Sequence, residues 1–442
     1  MPHPRHMRLG NCLKRGFKAS MRKVKLGLLG LGTVGSGVLK VLRQNAEMIK
    51  RSEGLDINVG WVLVRDKSKK RAVEIDPSVL TTDAQVILND PEVDLVAEFM
   101  GGEEPAFTYI REALKKGKSV VTANKEVIAK HGDVLEREAE KSGAGLYFEA
   151  SVAGGIPIIK TIKRSLQANH ILKFMGIING TTNYILTRMS EEGSDFNTVL
   201  KEAQRLGYAE PDPTADIEGL DAKFKLSILS TICFRNQVPL ENVYCEGITK
   251  VTAEDITYAQ QLGYGIKLLA IGKKNGNRIE ARVHPTFIPL SHPLCAVRDV
   301  YNAIFLEGDA VGNLMFYGRG AGDLPTASAV VSDIITACQN QGGYHHRTGM
   351  DQEDVIFEQN WVSRYYVRML VYDRPGVLGE IAGLFGKHGV SLESVIQKNR
   401  GDDASLIFIT HEAHEQFMVR ALEDMKGCTA ISSIESMIRV ER

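Results

Sequence analysis

The chain has 442 residues, 43% of them hydrophobic, and its 54 Lys and Arg are matched by 54 Asp and Glu. That length suits roughly three domains, the neutral balance gives no footprint for nucleic acid or a membrane surface, and no apolar run is long enough to span a bilayer. Six cysteines without CxxC spacing read as reduced thiols of a cytoplasmic protein, not a disulfide framework or zinc site.

Residues 1–20 carry Arg5, Arg8, Lys14, Arg15 and Lys18 without an acid or an apolar core, so they read as a disordered extension and not a secretory signal. Residues 21–155 read as a nucleotide-binding domain. An apolar run, Val24–Leu29, suits a buried parallel strand, and GLGTVG (Gly30–Gly35) follows before a helix at Ser36–Arg43. In this strand–GxGxxG–helix context Gly30 permits a tight turn, Gly32 a close pyrophosphate and Gly35 close helix packing. The next strand, Ile57–Val64, ends in Arg65, Asp66 and Lys67, with Lys69, Lys70 and Arg71 beyond. Cations at that point suit a 2′-phosphate and favour NADP; Asp66 keeps NAD open, and a solvated basic loop is the alternative. Strands at Val93–Phe99, Ser119–Thr122 and Gly145–Glu149 continue the winding, and Lys125 falls at a strand end that lines the ligand crevice. Pro157 suits a first helical position.

Residues 156–320 change character, to an α+β layer domain. A strand at Ile171–Ile178 opens into NGTTNYIL (Asn179–Leu186). An acidic loop punctuated by Pro211 and Pro213 then leads to a helix ending near Phe234. Asp221 and Lys225 are four apart on that helix. They are either a surface ion pair or a proton-transfer pair beside a pocket. A further helix is expected around Ala259–Ile266, with strands at Ile279–Phe287, Ala303–Glu307 and Leu314–Tyr317. His284 and His292 each precede a proline and read as turn residues at strand ends. Residues 321–340 hold a helix, Pro325–Gln339, expected to return to the nucleotide domain. Residues 341–362 are a glycine-rich polar linker. Residues 363–442 follow a βαββαβ pattern, with strands at Tyr365–Tyr372, Val390–Lys398, Ala404–Thr410 and Ser433–Val440, and helices after Gly376 and at Glu415–Met425.

The motifs VTANK (Val121–Lys125), EASVAGGIP (Glu149–Pro157), NGTTNYIL, AEPDPTADIEGLDAKFKL (Ala209–Leu226) and GRGAG (Gly318–Gly322) together resemble the homoserine dehydrogenase family over Lys23 to Asn340. The resemblance implies a Rossmann nucleotide domain followed by a substrate and dimer domain. The activity it implies interconverts L-homoserine and L-aspartate 4-semialdehyde with NADP or NAD, in threonine, methionine and isoleucine biosynthesis. Lys225 would exchange the proton at the substrate oxygen and Asp221 would hold it. Glu210 would bind the substrate ammonium, with Tyr208 and Thr181 shaping the pocket. Lys125 would lie between cofactor and substrate. Thr33, Val34 and Gly322 would join the glycines against the cofactor. The backbone of Glu149, Val152, Gly154 and Ile156 matches a monovalent cation site (Na+ or K+) of the family. The assembly implied is a homodimer or homotetramer. Enclosure would lower the Lys225 pKa and Asp221 would raise it; alcohol oxidation needs the neutral amine, so it should improve at alkaline pH.

DRPGVLGEIAGLFGKHGVSLESV (Asp373–Val395) is similar to the ACT domain, a ferredoxin-like amino-acid-sensing module. The pathway implies threonine as effector, with Asp373, Pro375, Gly376, Val377 and Ser391 as candidate ligand positions; a module that only dimerises is the alternative. The rival readings of the whole chain are another amino-acid dehydrogenase and a non-catalytic sensor. The EPDP to LDAKFK block and the set Lys125, Glu210, Asp221 and Lys225 speak against them.

Overall fold

A computed structural model describes residues 21–340, 354–400 and 403–441. The expectations for residues 1–20, for most of the 341–362 linker, and for Gly401 and Asp402 in the hairpin turn lie outside the described residues.

The first part alternates strand and helix: β1 (Arg22–Leu29), α1 (Thr33–Gln44), α2 (Ala46–Glu53), β2 (Leu55–Leu63), β3 (Leu80–Thr81), α3 (Ala84–Leu88), β4 (Leu95–Glu98), α4 (Ala106–Lys115), β5 (Ser119–Thr122), α5 (Lys125–Ser142) and β6 (Leu146–Tyr147). The strands form a parallel sheet in the order β3-β2-β1-β4-β5-β6. This is the doubly wound arrangement whose ligand crevice lies at the C-terminal strand ends. Leu26, Leu28 and Leu29 are fully buried, as a strand covered by helices on both faces requires.

The middle part runs α6 (Ile158–Lys160), β7 (Ile171–Ile177), α7 (Gly180–Glu192), α8 (Phe196–Arg205), α9 (Thr214–Ile217), α10 (Leu220–Phe234), β8 (Tyr244–Cys245), α11 (Ala253–Gln261), β9 (Tyr264–Asn275), β10 (Arg278–Pro289), β11 (Tyr301–Gly308), β12 (Gly312–Arg319) and α12 (Asp323–Gln339). The helix expected around Ala259–Ile266 lies earlier. Thr252 and Asp255 form a capping box that starts α11, Gly263 takes φ 82° just past its end, and Tyr264 opens a twelve-residue strand. An apolar run such as GIKLLAIG does not distinguish strand from buried helix by periodicity alone.

His284 is also placed differently. It sits inside β10, fully buried, with Nδ1 2.9 Å from the Pro285 carbonyl. Pro285 is tolerated mid-strand because odd-numbered residues of β10 turn their backbone away from β9: Glu246 N donates to Val283 O and Glu441 N to Phe287 O. The missing N–H therefore faces the interval between β8 and the strand that follows it along that edge. His292 does sit in a turn, where Nδ1 accepts from Leu294 N at 3.1 Å.

The last part holds β13 (Ile356–Phe357), β14 (Val362–Tyr372), α13 (Val377–Lys387), β15 (Leu392–Arg400), β16 (Asp403–Thr410), β17 (Ala413–His414), α14 (Glu415–Met425) and β18 (Ile431–Val440). β13 falls at the end of the expected linker and pairs with β10 in parallel. β18 pairs with β14 and also touches β10 at Thr286↔Arg439 and Phe287↔Val440. One sheet thus runs β12-β11-β7-β9-β10-β18-β14-β16-β15 through both parts. Where they meet, Arg282, itself fully buried, donates to Glu441 at 2.6 Å. Lys173 and Lys273 reach the same carboxylate at 3.1 and 3.2 Å.

Candidate active site

Two helix heads meet at one carboxylate. α5 follows β5 directly, capped by Asn124 accepting from Val127 N, and Lys125 is its first residue. α10 starts after Gly219, whose φ of 81° makes a left-handed N-cap, and its first turn carries Asp221. Lys125 Nζ pairs with Asp221 Oδ1. Lys225 Nζ donates to Asp221 Oδ2 at 2.7 Å and to the Ile178 carbonyl at 2.8 Å. The Asp221 and Lys225 side chains are 6% and 11% exposed, against 41% for Lys125. This is a buried ionic site open on the Lys125 side, not a solvated surface bridge.

The electrostatics follow from that enclosure. Burial draws the Lys225 pKa below the ordinary lysine value, with the Lys125 cation adding to it, and Asp221 only partly offsets them. Burial would push the Asp221 carboxyl up, but Lys225 and Lys125 reverse this and hold it below the usual range. For Lys125 burial is outweighed by Asp221, Asp216 and Glu210, and its pKa is raised. One lysine of the pair is poised to release a proton and the other to keep it.

Asn179 organises the neighbourhood. Its Oδ1 accepts from Thr182 N to cap α7, and its Nδ2 donates to Asp216 at 2.7 Å and Asp221 at 2.8 Å. Sequence reasoning passed over both Asn179 and Asp216; an Asn directly before Gly-Thr-Thr is a helix-start signal that could have found the first. Thr181 Oγ1 donates to the Tyr208 carbonyl at 2.7 Å. The Tyr208 ring, 45% exposed, leans on Tyr184 at 4.9 Å. Glu210 acts on Lys125 through its charge.

The glycine turn fits a dinucleotide. Gly30 has φ 109°, and a Cβ there would meet the Phe99 carbonyl at 3.0 Å; at Gly35 it would meet Gly30 O at 2.5 Å. Gly32 has open space around it, and no side chain caps the helix that starts at exposed Thr33, with Val34 next and partly buried. Uncapped amides at such a helix start suit phosphate. Arg65 and Lys67 lie exposed just past the end of β2, beside that turn. Asp66, also exposed, accepts from Ser68 N at 2.7 Å. Gly322, φ 122°, caps α12, which packs on α1 so closely that a Cβ on Gly37 would meet Asp323 O at 2.5 Å.

The Glu149–Ile156 turn packs against the same returning segment. Gly155 N donates to Arg319 O at 3.1 Å, and a Cβ on Gly154 would meet Gly320 O at 2.4 Å. The Glu149 carboxylate accepts from Ile159 N and Lys160 N, and burial beside Asp333 pushes its pKa up to about 7. Among the described residues no group of three or more His, Cys, Asp or Glu side chains could hold a metal. A cation here would therefore rely on carbonyls. Ala153 and Gly154, at φ 55° and 49°, turn the backbone out of helical register there, and the Ile156 carbonyl already accepts from Ile158 N.

In the last part Asp373, Pro375 and Gly376 are exposed, Val377 is buried, and Gly376 caps α13 with φ 92°. Ser391 is not near them. It binds His411 N beyond the Thr410 end of the sheet, whereas Tyr372 pairs with Asp403 at the other end. That separation is roughly 20 Å at about 3.3 Å per residue.

Comparison with known proteins agrees with this geometry. The homoserine dehydrogenase profile matches residues 157–335, its NAD-binding-domain profile 30–149, and the ACT domain profile 365–426. A homoserine dehydrogenase of Bacillus subtilis is 42% identical over 433 residues, covering 95% of this chain and 99% of that protein. This chain belongs to the homoserine dehydrogenase family. It is an oxidoreductase with a nicotinamide-nucleotide-binding domain and an ACT regulatory domain. A homoserine dehydrogenase of Synechocystis is 45% identical over 431 residues, covering 94% of this chain and 99% of that protein. The crystal structure of one from Thiobacillus denitrificans matches with TM-score 0.90 and 42% identity, covering 96% and 99% of the two chains. A hyperthermophilic archaeal member, solved in complex with NADPH, matches with TM-score 0.61 and 28% identity over 72% of this chain and 98% of its own. Among the described residues no helix is long and apolar enough to cross a membrane.

Proposed function

We propose that the enzyme works with NADP in preference to NAD, and that Lys225 exchanges the proton in the interconversion of L-homoserine and L-aspartate 4-semialdehyde. The observation that carries the second reading is the burial of Lys225 on Asp221 at 2.7 Å. A desolvated ammonium is a stronger acid than a solvated one and stabilises charge growing on the substrate oxygen. The bound nicotinamide supplies or takes the hydride at carbon. Asp221 fixes Lys225 in place. Lys125, on the open side of the carboxylate, is assigned to the gap between cofactor and substrate. Glu210, with Asp216, supplies negative charge for the substrate ammonium, and Thr181 with Tyr208 shapes the pocket wall. Gly30, Gly32, Thr33, Val34, Gly35 and Gly322 are assigned to the pyrophosphate and its surroundings.

The NADP preference rests on Arg65 and Lys67, exposed beyond β2 while Asp66 is occupied by Ser68. Threonine is the proposed effector of the ACT domain, a cytoplasmic homodimer or homotetramer the proposed state, and the turn Glu149–Ile156 the proposed seat of Na+ or K+. The deciding assay follows NADPH consumption with aspartate semialdehyde for wild type and Lys225→Ala. Full activity in the variant would remove Lys225 from the chemistry.

A further inference from the structure

Glu98 ends β4 and is completely buried, yet nothing in the chemistry above uses it. Its Oε2 accepts from Thr122 Oγ1 and its Oε1 from Met100 N, each at 2.6 Å. Thr122 Oγ1 accepts in turn from Asn124 N at 2.9 Å. Asn124 then spans the crevice edge: Nδ2 donates to Gly102 O at 2.8 Å and Oδ1 caps α5. One carboxylate therefore ties together the segments leaving two adjacent parallel strands. The second of these delivers Lys125.

Burial raises the Glu98 pKa despite the bonds from Thr122 and Met100. A neutral side chain would fill a core strand end at lower desolvation cost. Only a carboxylate, however, accepts at both oxygens at once, which is what Thr122 and Met100 N require. Gly101 and Gly102 both have positive φ, so their loop is held by such anchors and not by regular structure.

We propose that Glu98 is a positioning residue of the reaction: through Thr122 and Asn124 it sets the start of α5, so that Lys125 stays on Asp221. The proposal rests on the roles assigned above to Lys125 and Lys225. Three charged groups bear on the Lys225 amine beside the Ile178 carbonyl: Asp221 on its own helix, Lys125 on α5 and Asp216 on α9. If the turn at 122–124 loosens, Lys125 withdraws, and Lys225 loses the cation that depresses it.

The test uses the full chain, four single variants and the Glu98→Gln/Thr122→Val double variant. Glu98→Gln keeps one acceptor oxygen where Thr122 Oγ1 and Met100 N need two, so one of them meets an NH2 instead; Thr122→Val removes the hydroxyl at nearly constant volume, and Thr122→Ser keeps it; Lys225→Ala is the control. In Glu98→Gln and Thr122→Val, kcat for homoserine oxidation should fall about tenfold or more, and the alkaline midpoint of its pH profile should move up. Thr122→Ser should keep both near wild type, and the double variant should be no worse than the poorer single one. A lower melting temperature with an unmoved midpoint in both variants overturns the proposal. If Glu98→Gln does not fold, Thr122→Val decides alone by the same readout. Activity surviving in Lys225→Ala defeats the catalytic assignment itself. An inactive Lys225→Ala beside unmoved midpoints defeats only the role of Glu98.

Discussion

Lys125 and Lys225 hold opposite oxygens of the Asp221 carboxylate from the heads of two different helices. Removing the carboxylate leaves two facing cations, one of them buried. Asp221→Asn should lower kcat by about a hundredfold or more, the usual scale for a lost acid–base arrangement. It should also lower the Lys225 pKa further, because its offsetting anion is gone. Steady-state kinetics across pH measure both effects; a variant within twofold of wild type would contradict this account.

Because burial lowers the Lys225 pKa, homoserine oxidation should rise with pH to a midpoint below about 10.4, the value of a free lysine. Below that midpoint the ammonium form dominates, which suits aldehyde reduction. The two directions should therefore favour opposite sides of it. A profile flat from neutral to alkaline pH would remove an amine from the rate-determining proton transfer.

Arg65→Ala and Lys67→Ala should each raise the KM for NADPH about tenfold, the scale of one charge-assisted hydrogen bond, and leave the KM for NADH nearly unchanged. Both side chains are exposed, so the melting temperature should not move. Equal effects on the two cofactors would show that the cations meet a shared phosphate, not the 2′-phosphate.

Gly37 lies in α1 with its missing Cβ directed at the Asp323 carbonyl. Gly37→Val should force α12 off α1 and cost about 1–3 kcal/mol, read as a lower melting temperature. Cofactor binding should weaken as well, since Gly322 sits at the start of the displaced helix.

The Glu441 carboxyl is held well below its usual range, with Arg282, Lys273 and Lys173 outweighing burial. A carboxyl depressed in the folded state stabilises it above the unfolded value of about 4.3, and that stabilisation is lost as pH falls further. Glu441→Gln takes from buried Arg282 its 2.6 Å partner and leaves it only Glu280, at 3.6 Å, as a carboxylate partner; the loss should cost up to about 3–5 kcal/mol at neutral pH, and the difference from wild type should shrink in acid. Parallel melting curves at every pH would refute it.

Five of the six strands of the doubly wound sheet were readable as short apolar runs near glycines, and GLGTVG marks the first turn; β3, two residues in a glycine-free stretch, was too short to register. The α10 pair was only half readable: spacing puts Asp221 and Lys225 on one face, but whether that face is dry depends on helices and strands remote in sequence. Lys125 was found by its strand end; Asn179 was findable only as the cap of α7, and its bonds to Asp216 and Asp221, which connect α7, α9 and α10, are a relation no local pattern records. The same holds for Pro285, which sequence reasoning places at a strand end, although it lies where an edge happens to need no donor. Homology to an ACT domain named the Asp373 turn and Ser391 together, but within one chain the sheet keeps them apart.

The shared strand β18 also has a consequence for how the molecule is made. Arg282 and Glu441 are 159 positions apart, so β10 is synthesised long before the strand and carboxylate that complete its edge. Until then its open backbone groups stand waiting, and the Arg282 guanidinium has Glu280 but lacks the partner that lies at 2.6 Å in the finished fold. Contacts of such separation form late and leave strand edges open to other chains. Late assembly of this junction thus leaves part of the β10 edge open while the chain is only partly folded.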